Sequence, residues 1–108
     1  MKNGIYKVIF DSNVNQNGRC DGIITVIDGK ISGGDYVCFY RGKLVLNQIE
    51  LKVVRHNPHD TTVFNGVDDV TLLLTVKEMP GGTIFNGAVK GQPNLKISGG
   101  MHFLSDLD

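Results

Sequence analysis

Three observations predict an all-β fold, an eight-stranded up-and-down antiparallel barrel, for this chain of 108 residues. Apolar residues recur at period two along most of the sequence and almost nowhere at the 3.6-residue period of a helix. Turn residues punctuate that alternation at short intervals, so successive strands fold back on one another. Glycines fall inside the alternating stretches, where a missing side chain marks a bend, a close approach or empty volume. Closing such a meander removes the exposed edges that an open sheet would have to protect.

The elements follow in order. Ile5 to Phe10 is the first strand. Cys20 to Ile27 and Lys30 to Ser32 form a hairpin around Asp28-Gly29, a pair suited to the two positive-φ positions of a type I′ turn. Gly33-Gly34-Asp35 then breaks the pairing. The two glycines accept backbone angles closed to other residues, and the Asp35 carboxylate can take the freed amides of the next turn. Tyr36 to Gly42 restarts as a fourth strand, with Tyr40 and Gly42 on one face, so that the absent side chain makes room for the ring. Asn47 to His56 alternates Ile49, Leu51 and Val53 against Glu50 and Lys52. Asp69 to Lys77 alternates Val70, Leu72, Leu74 and Val76 against Thr71, Thr75 and Lys77, and these two strands define an inside and an outside. Pro80-Gly81-Gly82 punctuates, Thr83 to Lys90 and Asn94 to Leu104 form the last pair, and Gly91-Gln92-Pro93-Asn94 turns between them.

A family resemblance rests on residues of the first half: Asn3-Gly4-Ile5-Tyr6 with Phe10, then Asp28-Gly29, Gly33-Gly34-Asp35, Tyr40-x-Gly42-x-Leu44 and Leu51-x-Val53-x-Arg55-His56-Asn57. In order and spacing these resemble the GrlR family of small bacterial proteins, named for negative regulators of type III secretion. The resemblance implies a lipocalin-like eight-stranded barrel, a homodimer without catalytic residues, acting in transcriptional regulation by sequestering an activator protein. The chain departs from that pattern after the fourth strand. Where the regulator carries an acidic run, Leu44-Val45-Leu46-Asn47-Gln48-Ile49-Glu50 holds a single carboxylate.

Length and composition bound the remaining classes. A chain of this size forms one domain, residues 1–108, burying roughly 60 to 70% of its unfolded surface, enough for a core without staples. Cys20 and Cys38 lack the spacing of a zinc or redox motif and read as reduced thiols. Met1 to Lys7 lacks a signal-peptide core, and no apolar run approaches the about 18 residues that span a bilayer, so the expectation is a cytoplasmic protein without a membrane partner. Eleven basic residues balance eleven acidic ones with no Lys/Arg cluster among aromatics, which argues against nucleic acid as a partner. With two glutamates, no serine elbow and no interpretable Cys/His pair, no enzyme is expected.

An eight-stranded barrel is just wide enough to fill with side chains or to hold one small ligand. Gly22, Gly42, Gly87, Gly99 and Gly100 are read first as barrel curvature and second as cavity, in a chain with no Trp to plug the centre. Arg55 shares the inward parity of Ile49, Leu51 and Val53. An unpaired buried guanidinium is too costly, so it either bridges to Asp35 or Asp69 or receives the carboxylate or phosphate of an anionic ligand, with Tyr6 and Tyr40 lining the wall. The long connection from His56 to Asp68 contains Val63 and Phe64, apolar residues expected to fold over one barrel end as a lid or plug. His56, His59 and Asp60 flank a proline that enforces extended backbone, and no third nitrogen or sulfur lies near, so neither a metal nor another cofactor is expected. His102 reads as a surface residue.

Two strands are apolar on both faces: Ile23, Thr25 and Ile27 against Ile24 and Val26, and Tyr36, Cys38 and Tyr40 against Val37 and Phe39. An outer apolar face marks a partner surface, with a two-fold dimer the commonest cover, so Val37 and Phe39 are the interface candidates. The opposite register would expose Tyr36 and Tyr40 instead. Two functions remain: a regulator that binds another protein, as the resemblance implies, and a carrier or sensor of a small hydrophobic or anionic ligand held by Tyr6, Tyr40, Arg55 and Phe64.

Overall fold

A computed structural model describes residues 1–14, 19–59 and 69–108. Eight strands follow in order: β1 (Gly4–Ser12), β2 (Cys20–Ile27), β3 (Lys30–Gly34), β4 (Cys38–Val45), β5 (Gln48–Arg55), β6 (Asp69–Met79), β7 (Gly82–Val89) and β8 (Gln92–Ser105). Each pairs with its sequence neighbour and β8 pairs with β1, which closes the barrel as an antiparallel meander. The inward residues are those that the alternation selects. Tyr6, Val8 and Phe10, Ile24 and Val26, Ile49 and Leu51, and Val70, Leu72, Leu74 and Val76 are all buried.

The β2–β3, β4–β5 and β6–β7 turns share one end. Asp28 and Gly29 take φ of 51° and 79°, the two positive angles of a type I′ hairpin. The Asn3 side chain brackets that turn, accepting from the Asp28 amide at 2.8 Å and donating to its carboxylate at 3.1 Å. At the same end the Tyr6 phenol donates to the Lys2 carbonyl at 2.6 Å, and its ring meets Phe103 edge-on at 5.4 Å. Lys2 Nζ lies 3.9 Å from the centre of the Phe103 ring, and Met1 packs against the core, so side chains fill this end.

Two glycine expectations need correction. Gly33 and Gly34 do not break the pairing: they are the last residues of β3, opposite Tyr40 and Phe39, and the break comes at Asp35. Neither has a positive φ; they are glycines because a Cβ would collide, at Gly33 with the Ile23 carbonyl oxygen 2.1 Å away. Gly42 does share the face of Tyr40, yet its own Cβ would strike the Glu50 oxygen at 2.4 Å, so it admits the neighbouring strand rather than the ring. The same holds at Gly87, 1.9 Å from the Leu73 oxygen, and Gly99, 2.1 Å from the Ile9 oxygen. At these positions the close approach of a neighbouring strand, and not empty volume, is what excludes a side chain. The last turn also shifts: Lys90-Gly91 connects β7 to β8, which already starts at Gln92.

Candidate functional site

The end opposite the Asp28-Gly29 turn is organised by Asp35. Its Oδ1 accepts from the amides of Val37 and Cys38, both at 2.7 Å, as a short acidic side chain in a turn can. This cap holds Tyr36 and Val37 in a bend, so β4 starts at Cys38 rather than at Tyr36. Val37 O in turn accepts from His56 N at 2.8 Å and Asn57 N at 3.1 Å, Asn57 Nδ2 donates to Tyr36 O at 3.3 Å, and His56 Nε2 lies 2.9 Å from Asp35 O. The bend and the exit of β5 are thus strapped into one rim.

Below the rim lies a cavity of about 200 Å³. Its wall is almost wholly apolar, with Phe10, Ile24, Leu51, Leu72, Phe85 and Met101 among its members, and at the rim it reaches Asp35, Tyr36 and Val37. Tyr40 is a buried polar member of that wall. The residue is only 5% exposed, its ring stands edge-on to Phe10 at 6.3 Å, and its hydroxyl donates to Asp35 Oδ2. Burial first, then the hydrogen bond to Asp35 and that carboxylate's charge, push the phenol far above its ordinary range. Tyr40 therefore stays a neutral donor, and Asp35 has three protein donors on its two oxygens.

Gly22 makes this pair sterically feasible. A Cβ there would lie 2.8 Å from Gly34 O, 3.0 Å from the Tyr40 hydroxyl and 3.1 Å from Asp35 Cβ.

The expected site residues are only partly brought together. Tyr40 lines the cavity. Tyr6 does not, although register places it in one lateral row with Tyr40 through Ile24 and Gly33. Strand tilt raises each successive strand along the barrel axis, so the ring that Tyr40 meets is Phe10, four residues beyond Tyr6 on β1. Arg55 is half-buried at the end of β5, where its Nε donates to Asn57 O at 2.9 Å and an Nη to Pro58 O at 2.6 Å. Its guanidinium builds the rim and stands outside the cavity wall, while Asp35, the partner offered by the salt-bridge reading, gives its oxygens to Val37, Cys38 and Tyr40. Phe64, with Val63 and Asp60, lies outside the described residues.

The interface candidates also separate. Phe39 points outward and is 40% exposed, with Cys38 and Tyr40 inside, which selects the first of the two registers. Val37 sits half-buried in the rim bend and lines the cavity mouth, so it belongs to the pocket and not to the outer face. What continues the outer face is register: Ile23 lies opposite Gly34, Gly34 opposite Phe39, and Phe39 opposite Val54, an apolar row across four strands.

Sequence reasoning had Asp35 as a turn cap and Tyr40 as a wall residue, without joining them. A signal was present: Asp35 and Tyr40 flank a two-residue bend, so the cap and the inward ring must approach. Among the described residues no three His, Cys, Asp or Glu side chains gather as a metal site, and no helix is long and apolar enough to cross a membrane. His102 is exposed on β8. No protein-family model matches the chain, and no curated protein matches it.

Proposed function

We propose that this barrel is a non-enzymatic binding protein that takes a small, largely apolar molecule into its interior. The observation that carries this is the cavity itself: about 200 Å³ of apolar space, closed by packed side chains at one end and reaching the rim at the other. An apolar cavity of about 150 Å³ is enough to hold benzene, so this one accommodates a benzene-sized body with a short arm. The test is a titration with ethylbenzene followed through methyl resonances of Ile31, Leu51, Leu72 and Met101, all in the wall. Saturable shifts confined to these groups, abolished by the filling substitution Leu72→Phe, are the expected result; an unresponsive core would remove the reading.

A second reading has its own support in the outer row of Ile23, Gly34, Phe39 and Val54. Ile23 and Phe39 are 45% and 40% exposed, and Gly34 between them brings their strands close, since a Cβ there would meet Cys38 O at 2.8 Å. Such a strip suits a protein partner better than water. On this reading the chain acts in the cytoplasm as a homodimer or as a GrlR-like sequestering partner of a transcriptional activator. Phe39→Asp is then expected to lower the mass in solution, measured by sedimentation, without loss of β-structure, and an unchanged mass in a protein already monomeric would sink the dimer.

A further inference from the structure

Two carboxylates, Asp21 and Asp35, reach the cavity mouth, and among the described residues only Asp21 has a cation beside it. Asp35 lines the mouth and turns inward to meet the Tyr40 hydroxyl. Among the described residues no lysine or arginine forms an ion pair with it. The charged groups around it are engaged elsewhere. Asp21 is also in the mouth, but its carboxylate lies 3.7 Å from Lys7 Nζ, and Lys7 belongs to the outward parity of β1. Arg55 donates to the Asn57 and Pro58 carbonyls, and His56 faces the main-chain oxygen of Asp35 rather than its carboxylate.

Hydrogen bonds from two amides and a phenol solvate the Asp35 carboxylate without neutralising it. A half-buried anion at the edge of an apolar space attracts a cation and repels another anion. A second group points the same way. Tyr36, next in the chain, also lines the mouth and is 76% exposed, and an aromatic ring and a carboxylate at one opening are a pair of groups that can receive an ammonium group. The sequence offered Arg55 either a structural bridge or an anionic ligand; the wall holds Asp35, a group of the opposite charge.

We infer that the ligand class of this cavity is an apolar primary amine, its body among Phe10, Leu72 and Phe85, its ammonium group between Asp35 and the Tyr36 ring. This deepens the small-molecule reading above and rests on it. About 200 Å³ fits an arylalkyl amine of roughly nine heavy atoms, a benzene-sized ring plus a two-carbon arm that reaches the mouth. No atom of the protein changes covalently.

The experiment compares three probes that share a phenylethyl body and carry end groups of different charge: 2-phenylethylamine, 2-phenylethanol and 3-phenylpropanoate. Each is titrated into the whole protein at pH 7 by ¹⁵N–¹H correlation spectroscopy. The amine is expected to bind about ten-fold or more tighter than the alcohol, a factor worth about 1.4 kcal/mol, with the carboxylate weakest. Asp35→Asn keeps an oxygen for the Val37 and Cys38 amides and is expected to bring amine and alcohol to within about two-fold, and Tyr36→Ala, at an exposed ring, to weaken the amine selectively. Equal binding of the three probes, a preference for the carboxylate, or an amine preference that survives both substitutions overturns the amine assignment while leaving the cavity reading in place. Failure of all three probes to bind overturns both.

Discussion

Replacing Tyr40 with Phe removes one oxygen from the middle of the rim machinery and little else. The ring keeps its edge-on packing against Phe10, because that contact uses carbon atoms only. What is lost is a hydrogen bond to a carboxylate, a class worth about 1.5 to 3 kcal/mol. Asp35 Oδ2 lies at the mouth, where water can replace the phenol, so the lower part of that range applies: about 1.5 kcal/mol at pH 7. For a domain of this size that lowers the melting temperature by roughly 6 to 12 °C. The pH dependence is more discriminating. Tyr40 is held protonated in the folded chain, while in the unfolded chain it ionises around its ordinary value of about 10. Above that pH the unfolded state binds fewer protons than the folded state, so stability falls as pH rises, by about 1.4 kcal/mol per unit for this one group. Tyr40→Phe lacks the group and escapes the slope. The wild-type advantage should therefore vanish about one unit above the ordinary tyrosine value, near pH 11, with the variant the more stable beyond it. Urea unfolding followed by circular dichroism between pH 7 and 11.5 reads both curves, and lysines and the other tyrosines, common to both proteins, cancel in the difference. Two parallel curves across the whole range would refute the argument that burial and Asp35 keep this phenol neutral.

Further predictions concern the walls and turns. Gly87→Ala pushes a methyl group against the Leu73 carbonyl 1.9 Å away, a backbone atom that cannot swing aside, and should cost about 3 kcal/mol in thermal or urea unfolding. Gly100→Ala, whose nearest neighbour is 3.6 Å away, should leave the midpoint within about 0.5 kcal/mol of wild type. Leu46 stands in the β4–β5 turn with φ of 58° and 93% exposure, so Leu46→Gly relieves a left-handed backbone and should raise stability by about 1 kcal/mol in the same assay.

How far the sequence reaches can be read from single residues. Alternation along Asp69 to Lys77 assigned inside and outside correctly, because parity is a local property of a strand. Asp28-Gly29 revealed its turn because only a few residue pairs tolerate two positive φ angles. Height within the barrel was not legible. Parity sent Tyr6 and Tyr40 inward alike, and only the tilt of closed strands, which depends on all eight together, separates them. Arg55 is legible only in part for a related reason: the Asn57 and Pro58 carbonyls that it meets belong to a connection whose path alternation does not describe. The glycines show the same limit. Their presence in strands signalled something unusual, and only the partner strand shows that the reason at Gly33, Gly87 and Gly99 is a backbone oxygen about 2 Å from where a Cβ would be.

The pairing of β1 with β8 has a consequence for how the chain assembles. Seven of the eight strand pairs join sequence neighbours and can form early as hairpins or simple meanders. The eighth joins Val8 to Met101, across most of the chain, and has to wait until the meander has curled upon itself. Zipping this seam is also the event that encloses the interior, because Val8 and Met101 both belong to the cavity wall. A molecule that fits the cavity therefore recognises the zipped state alone and holds the seam shut: at a hundred times its dissociation constant it would add about 2.7 kcal/mol to stability, and the rate at which the barrel unzips would report whether it is loaded.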